Sequence, residues 1–144
     1  ATKYAEFNIY ADPEAANIVF KSGLHIKAIG LDVCDNVIIT KEKFYNSQYE
    51  FNKSKSVLGK FSNSIIDSFF NYHKDKNEMS LCDPIAVICL FYENLFSYKS
   101  KEVNVDTGKL KKGLTVPTQN KGKIDIAVDL NIKKVINLID KNLI

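Results

Sequence analysis

Residues 80–92, Ser-Leu-Cys-Asp-Pro-Ile-Ala-Val-Ile-Cys-Leu-Phe-Tyr, constrain the fold more than any other stretch of the chain. An acid followed at once by proline opens an apolar run. The pattern predicts a buried helix with Asp83 as N-cap and Pro84 as its first residue. The carboxylate of Asp83 then either caps the helix or faces a cation, with the Cys82 thiol directly beside it.

Residues 5–16, Ala-Glu-Phe-Asn-Ile-Tyr-Ala-Asp-Pro-Glu-Ala-Ala, use the same device. Asp12 reads as N-cap, Pro13 as the first helical residue, and Glu14 lies in the first turn near the positive end of the dipole. Just upstream, Glu6 and Asn8 alternate with Phe7 and Ile9. In an extended segment a period of two places the carboxylate and the carboxamide on one side and the apolar pair on the other. Such a pair offers several acceptors and two donors, which suits vicinal hydroxyls. Taken alone, it reads first as ordinary solvated surface.

The remaining pattern predicts a helix over 13–22 that ends near Gly23 and an apolar strand over 25–33 of the kind buried in a parallel sheet. Thr40 offers a helix start. Val57, Phe61, Ile65, Phe69 and Tyr72 recur at helical spacing and predict an amphipathic helix over about 55–74. Residues 75–81 read as a polar loop, 102–107 and 124–130 as strands, and Ile132, Val135, Ile136, Leu138 and Ile139 mark a terminal amphipathic helix. Strands alternating with helices give an α/β fold, a mostly parallel open sheet with flanking helices.

Composition excludes several classes. A chain of 144 residues is the size of one domain and can bury a core. No apolar run is long enough to span a bilayer, so no membrane partner is expected. The start, Ala-Thr-Lys-Tyr, lacks a basic head and an apolar stretch. Three cysteines without metal-type spacing argue against a disulfide framework and for a reducing, cytoplasmic compartment. Cys34 and Cys89 sit in apolar runs and read as core fillers. A net charge of +3, with the lysines dispersed, implies no nucleic acid partner.

Taken in order, the blocks at 5–16, Gly30-Leu31-Asp32-Val33, Asp83-Pro84-Ile85-Ala86-Val87, Val105-Asp106-Thr107-Gly108 and Lys112-Gly113-Leu114-Thr115-Val116 resemble those of the inosine–uridine-preferring nucleoside hydrolases. The resemblance covers nearly the whole chain, and the first block is highly specific. One signature of that family, an N-terminal Asp-x-Asp-x-x-x-Asp-Asp cluster, is absent. The chain therefore resembles the C-terminal portion of a single hydrolase domain, over 1–144, with the N-terminal half of the same enzyme as the expected partner.

The resemblance implies hydrolysis of the N-glycosidic bond of a purine or pyrimidine ribonucleoside through an oxocarbenium-like transition state. It implies a Ca2+ ion that holds the ribose hydroxyls and a water, and assembly as a homo-oligomer. By position, Asp83 corresponds to a calcium ligand that also contacts the sugar. Asn8 corresponds to a residue on the ribose diol and Glu6 to one on the 5′-hydroxyl. Calcium takes about 6–8 oxygens, which one aspartate does not supply. Cys82 stands where many members carry the histidine that protonates the departing base; it reads either as that donor or as a small pocket-lining residue. Tyr72 and His73 close the long helix, where either could assist the leaving group, while His73 reads also as an exposed C-terminal helix residue. Asp32 reads as structural, and Asp106, which stands in for the family's glutamate, reads as structural or as a neighbour of the site. A non-catalytic protein that keeps only nucleoside or ribose contacts is the alternative.

Overall fold

In chain order the computed structural model, which describes residues 1–142, contains α1 (Phe7–Ala11), α2 (Pro13–Lys21), β1 (Ile26–Ala28), α3 (Leu31–Cys34), β2 (Ile38–Thr40) and α4 (Lys41–Tyr45). There follow α5 (Glu50–Lys53), α6 (Val57–Tyr72), β3 (Glu78–Ser80), α7 (Cys82–Phe91) and β4 (Phe96–Lys101). The last elements are β5 (Val103–Val105), β6 (Thr115–Pro117), β7 (Ile124–Leu130) and α8 (Ile132–Asn142). The chain is α/β, with contacts that gather into two compact units.

The first unit comprises Ala1–Leu31 and Ser97–Val128. Its sheet has the order β1-β7-β4, and β1 runs parallel to β7 with Ile26 opposite Ile124 and Ala28 opposite Ile126. A second ribbon pairs β5 with β6 antiparallel, Val103 opposite Pro117 and Val105 opposite Thr115. Ile124, Ala127 and Val103 are buried, and α2 lies against β5. The second Asp-Pro device works as the sequence predicts: Asp12 Oδ1 accepts from the Ala15 amide at 2.9 Å and Pro13 starts the helix.

Two expectations fail in this unit. Residues 6–9 are not extended; Glu6 is the N-cap of α1 and its carboxylate accepts from the amides of Asn8 and Ile9. Two alternations are too few to distinguish a strand from a capped single turn, and an acid able to satisfy two orphan amides decides for the turn. The strand predicted over 25–33 is only Ile26–Ala28, after which Leu31–Cys34 turns helically. The Asn36 side-chain amide donates to the Asp32 and Val33 carbonyls and fixes that turn.

The second unit runs from Asp32 to Phe96 and resumes at Asp129. Phe51, Phe70, Ile39, Ile85, Val33, Val37 and Val135 form its interior. Helix α5 packs on α6 and α8, and Asp140 Oδ1 accepts from the Phe51 amide. Thr40 caps α4 through the Lys43 amide as expected. The predicted loop over 75–81 contains β3, which pairs antiparallel with β2 (Ile38 opposite Ser80, Thr40 opposite Glu78); short polar edge strands carry little apolar signal.

Helix α6 lies within the predicted range but turns the other way. Gly59, Ser62, Ile66 and Phe70 face the core, while Val57, Phe61, Ile65 and Tyr72 of the predicted apolar stripe are exposed. The helix has two apolar stripes, and periodicity identifies a stripe without saying which one is covered. Ser62 is tolerated inside because its hydroxyl donates to the Leu58 carbonyl.

Candidate active-site residues

The start of α7 is held by backbone bonds from a distant segment. The Val37 amide donates to the Cys34 carbonyl at 2.9 Å and the Leu81 amide donates to the Val37 carbonyl at 3.1 Å. Ser80 Oγ donates to Asp35 Oδ1 at 2.9 Å. Residues 34–37 and 80–82 are thereby tied together, and the thiols of Cys34 and Cys82 share a hydrogen bond. Sequence reasoning missed this pairing; no spacing rule joins positions so far apart.

Leu81, not Asp83, is the N-cap of α7, and no side chain caps the helix. Asp83 is its second residue and Pro84 its third. Proline is accepted throughout the first turn, because amides there have no intrahelical acceptor, so an Asp-Pro pair does not fix the register. One consequence bears on chemistry: Asp83 is exposed and makes no hydrogen bond or ion pair among the described residues. Its carboxylate sits near the positive end of the helix, spent on nothing.

The electrostatics keep both neighbouring thiols protonated. Burial pushes Cys34 up to about 12, with the Cys82 thiol and the charges of Asp35 and Asp32 adding to the effect. Burial also raises Cys82; Asp35 and Asp83 add to this, and the bond with Cys34 opposes it. At neutral pH Cys82 is therefore a thiol, not a thiolate. Cys34 and Cys89 are buried, as core fillers should be.

Tyr72 is the last residue of α6 and His73 its C-cap. The His73 ring lies 4.7 Å from the Phe69 ring and 4.9 Å from that of Tyr72, centroid to centroid. Among the described residues no hydrogen bond joins either to Cys82 or Asp83. His73 is half-buried against Phe69, and Tyr72 is 84% exposed.

Glu6 and Asn8 belong to the first unit. Glu6 is half-buried and Asn8 exposed. The turn between β5 and β6 is set directly against α1: at Gly113, with φ of +82°, a Cβ would lie 2.9 Å from both the Ala5 Cβ and the Tyr10 Cα. The same turn carries Asp106, whose carboxylate accepts from the Gly108 amide at 2.7 Å and is thus engaged locally. Lys112 lies over the Tyr10 ring at 5.0 Å. Blocks 5–16 and 105–116 are thus neighbours in space. His25 is exposed, and its Nε2 pairs with Asp125 Oδ2 at 2.6 Å. Ser100 Oγ donates to the other carboxylate oxygen of Asp125, and this bond above all lowers the Asp125 pKa.

A calcium shell needs several hard oxygens. Asp83 fits as one such ligand, but among the described residues no group of three or more His, Cys, Asp or Glu could hold a metal ion. The described residues do not complete the site. No helix among them is long and apolar enough to cross a membrane.

Comparison with known proteins gives one consistent result. The family model described as inosine-uridine preferring nucleoside hydrolase matches residues 1–137. The pyrimidine-specific ribonucleoside hydrolase of Salmonella newport is 34% identical over 99% of this chain and 48% of its own length. The probable uridine nucleosidase 2 of Arabidopsis thaliana is 31% identical over 93% of this chain and 41% of its own. Among solved structures, a plant nucleoside hydrolase superposes with a TM-score of 0.82 at 24% identity, covering 97% of this chain and 48% of that one. A purine-preferring ribonucleoside hydrolase from Gardnerella vaginalis gives 0.81 at 23%, covering 97% and 46%. The last two matches show a shared fold. The chain spans about half the length of the curated relatives it matches.

Proposed function

The chain belongs to the inosine-uridine preferring nucleoside hydrolase family, and from that premise we propose that it forms part of a ribonucleoside hydrolase. Water adds across the bond between ribose C1′ and the base nitrogen, its hydroxyl going to the sugar and its proton to the base. The observation that carries the reading is the family match over residues 1–137, which includes every block assigned a role here. The curated relatives, a pyrimidine-specific enzyme and a uridine nucleosidase by description, make uridine the first substrate to test and inosine the second.

Each role follows from chemistry available on this chain. Asp83 provides one carboxylate to a Ca2+ ion and to the sugar; its exposure and lack of partners leave it free to do so. Calcium, when bound, would supply charge to orient the ribose diol and a water; the other ligands and the base come from the half of the enzyme this chain does not span. Asn8 is an exposed carboxamide able to bond the diol. Glu6 keeps carboxylate lone pairs beyond the two amides it caps, so contact with the 5′-hydroxyl is compatible with its capping role. The transition state gathers positive charge on the sugar, so contacts that strengthen as charge builds raise turnover. Cys82, protonated at neutral pH, is in a state to give a proton to the leaving base; Tyr72 and His73 are the alternative donors. Free thiols suit a reducing, cytoplasmic compartment.

The test is base release from uridine and inosine by the chain assembled with the complementary half of a family member, with and without calcium. Calcium-dependent release that disappears in Asp83→Ala supports the reading. Release unchanged in Asp83→Ala would sink it.

A further inference from the structure

The lysines are spread along the sequence, yet the fold draws four of them to one place. A cleft of about 560 Å³ opens in the first unit, where the end of α2, the junction of β4 with β5 and the entry to β7 meet, and Lys21, Lys101, Lys121 and Lys123 line it. Its volume is that of a small-molecule site. Glu102 is the one acid in its wall, and its Oε2 is engaged by the side-chain amide of Asn120 at 3.0 Å. Among the described residues none of the four ammonium groups pairs with a carboxylate. Lys101 Nζ donates only to the Gln119 carbonyl, at 3.3 Å. Lys21 complements the dipole at the end of α2, while Lys101, Lys121 and Lys123 have no helix end to serve.

Backbone bonds hold the walls together. The Ile26 amide donates to the Lys123 carbonyl at 3.0 Å, the Glu102 amide to the Asn120 carbonyl at 3.3 Å, and the Thr118 amide to the Glu102 carbonyl at 2.8 Å. Gly122 is pressed so closely onto the facing chain that a Cβ there would lie 2.5 Å from the Lys101 carbonyl and the Glu102 amide nitrogen. Only glycine allows that approach, and it brings Lys121 and Lys123 to the strand that carries Lys101. Four ammonium groups against one engaged carboxylate give the cleft a strongly positive potential, where an ordinary soluble surface intersperses the two signs. Lysine ammonium groups are point charges that suit phosphoryl oxygens. We propose that this cleft binds the diphosphate or triphosphate group of a small ligand. Half-buried Phe20 and Leu24, 67% exposed, share the wall and offer the organic part of a nucleotide a surface to lie on. A nucleic acid strand fits less well, because stacking successive bases takes several aromatic rings and Phe20 is the one ring in the wall. None of the residues given a role in nucleoside hydrolysis lines the cleft, so the site stands whether or not that activity does.

The experiment titrates residues 1–144 with inorganic triphosphate by calorimetry, without divalent metal. Binding should be saturable, with one triphosphate per chain. Lys121→Glu/Lys123→Glu should weaken it by at least about 10-fold, since each change replaces a charge-assisted contact by a repulsion. Lys133→Glu/Lys134→Glu makes the same change in net charge at exposed positions of α8 outside the cleft. It should leave the affinity within about 2-fold of the wild type at physiological salt. All four side chains are exposed, so far-UV dichroism should stay unchanged; if the glutamate pair at 121 and 123 fails to fold, Lys121→Gln/Lys123→Gln carries the test with a smaller loss. Adenosine 5′-triphosphate distinguishes the sources of the group. Tighter binding than inorganic triphosphate, with the gain lost in Leu24→Asn, assigns the site to a nucleotide, and equal affinities assign it to free oligophosphate. Lack of saturable binding of either probe, or equal losses in the two glutamate pairs, overturns the proposal. So does tighter binding of a single-stranded oligonucleotide that disappears in Lys121→Glu/Lys123→Glu.

Discussion

At Asp83 the dipeptide Asp-Pro is legible as a helix start, yet its exact place is not, because the first three helical positions accept proline equally. The shift by two residues changes what the carboxylate does: a capping aspartate is spent on amides, and Asp83 is spent on nothing. In the assembled enzyme Asp83→Asn or Asp83→Ala should lower kcat/KM by more than about 100-fold, beyond the roughly 10–100-fold that loss of an outer-shell partner costs a metal site. Calcium titration should show weaker binding in the same variants. Asn8→Ala should lower kcat more than it raises KM, since its contact strengthens with charge on the sugar. Glu6 shows the converse case, where a side chain read as a ligand proves also to be a cap. A second residue-scale prediction concerns Asp125. Its pKa is lowered, first by the Ser100 bond and then by His25. A lowered acid stabilises the fold fully above its unfolded value of about 3.9 and loses that contribution as pH falls through the folded value. Asp125→Asn should therefore flatten the acid limb of a stability-against-pH curve below about pH 4. An unchanged limb would assign acid loss to other carboxylates.

Elements were legible wherever a local device dictated them. Asp12-Pro13, Thr40 and the apolar run of α7 each act within one turn, and α2, α4 and α7 form where expected. Some failures were local, as where Glu6 caps α1 and Asn36 fixes the turn of α3; others were decided by contacts distant in sequence. The apolar stripe of α6 is visible in the sequence, but only Phe44, Phe51 and their neighbours determine that Ile66 and Phe70 turn inward. The pairing of Cys34 with Cys82 depends on β2 meeting β3, which no local pattern announces. The turn from β5 to β6 gives a sharper test at this scale. Gly113 combines a positive φ with a Cβ position already filled by Ala5 and the Tyr10 backbone, so both conformation and space require glycine. Gly113→Ala should destabilise the protein by about 1–3 kcal/mol, as for other residues forced into strained backbone. The measurement is the urea midpoint, and a loss within 0.5 kcal/mol of zero, the range of about an ordinary surface change, would show that α1 yields freely.

At the scale of the whole molecule, activity depends on how many metal ligands and bases the chain supplies. Calcium takes about 6–8 oxygens, and Asp83 offers at most the two of one carboxylate. Attack on ribose needs a base near the attacking water. Among the described residues no group of three or more His, Cys, Asp or Glu could hold a metal ion. Asp106 is turned onto the Gly108 amide, and Asp32 belongs to the short turn of α3. The chain by itself, free of any partner, should therefore release no base from uridine or inosine with calcium present, measured by the ultraviolet change on base release or by reducing-sugar assay. Hydrolysis should appear when the complementary half of a family member is added, and should fall again on chelation with EGTA. Hydrolysis by residues 1–144 alone would mean that Asp32 and Asp106 help to build the site, and the Asp32→Asn and Asp106→Asn variants would then lose it where Asp83→Asn did not.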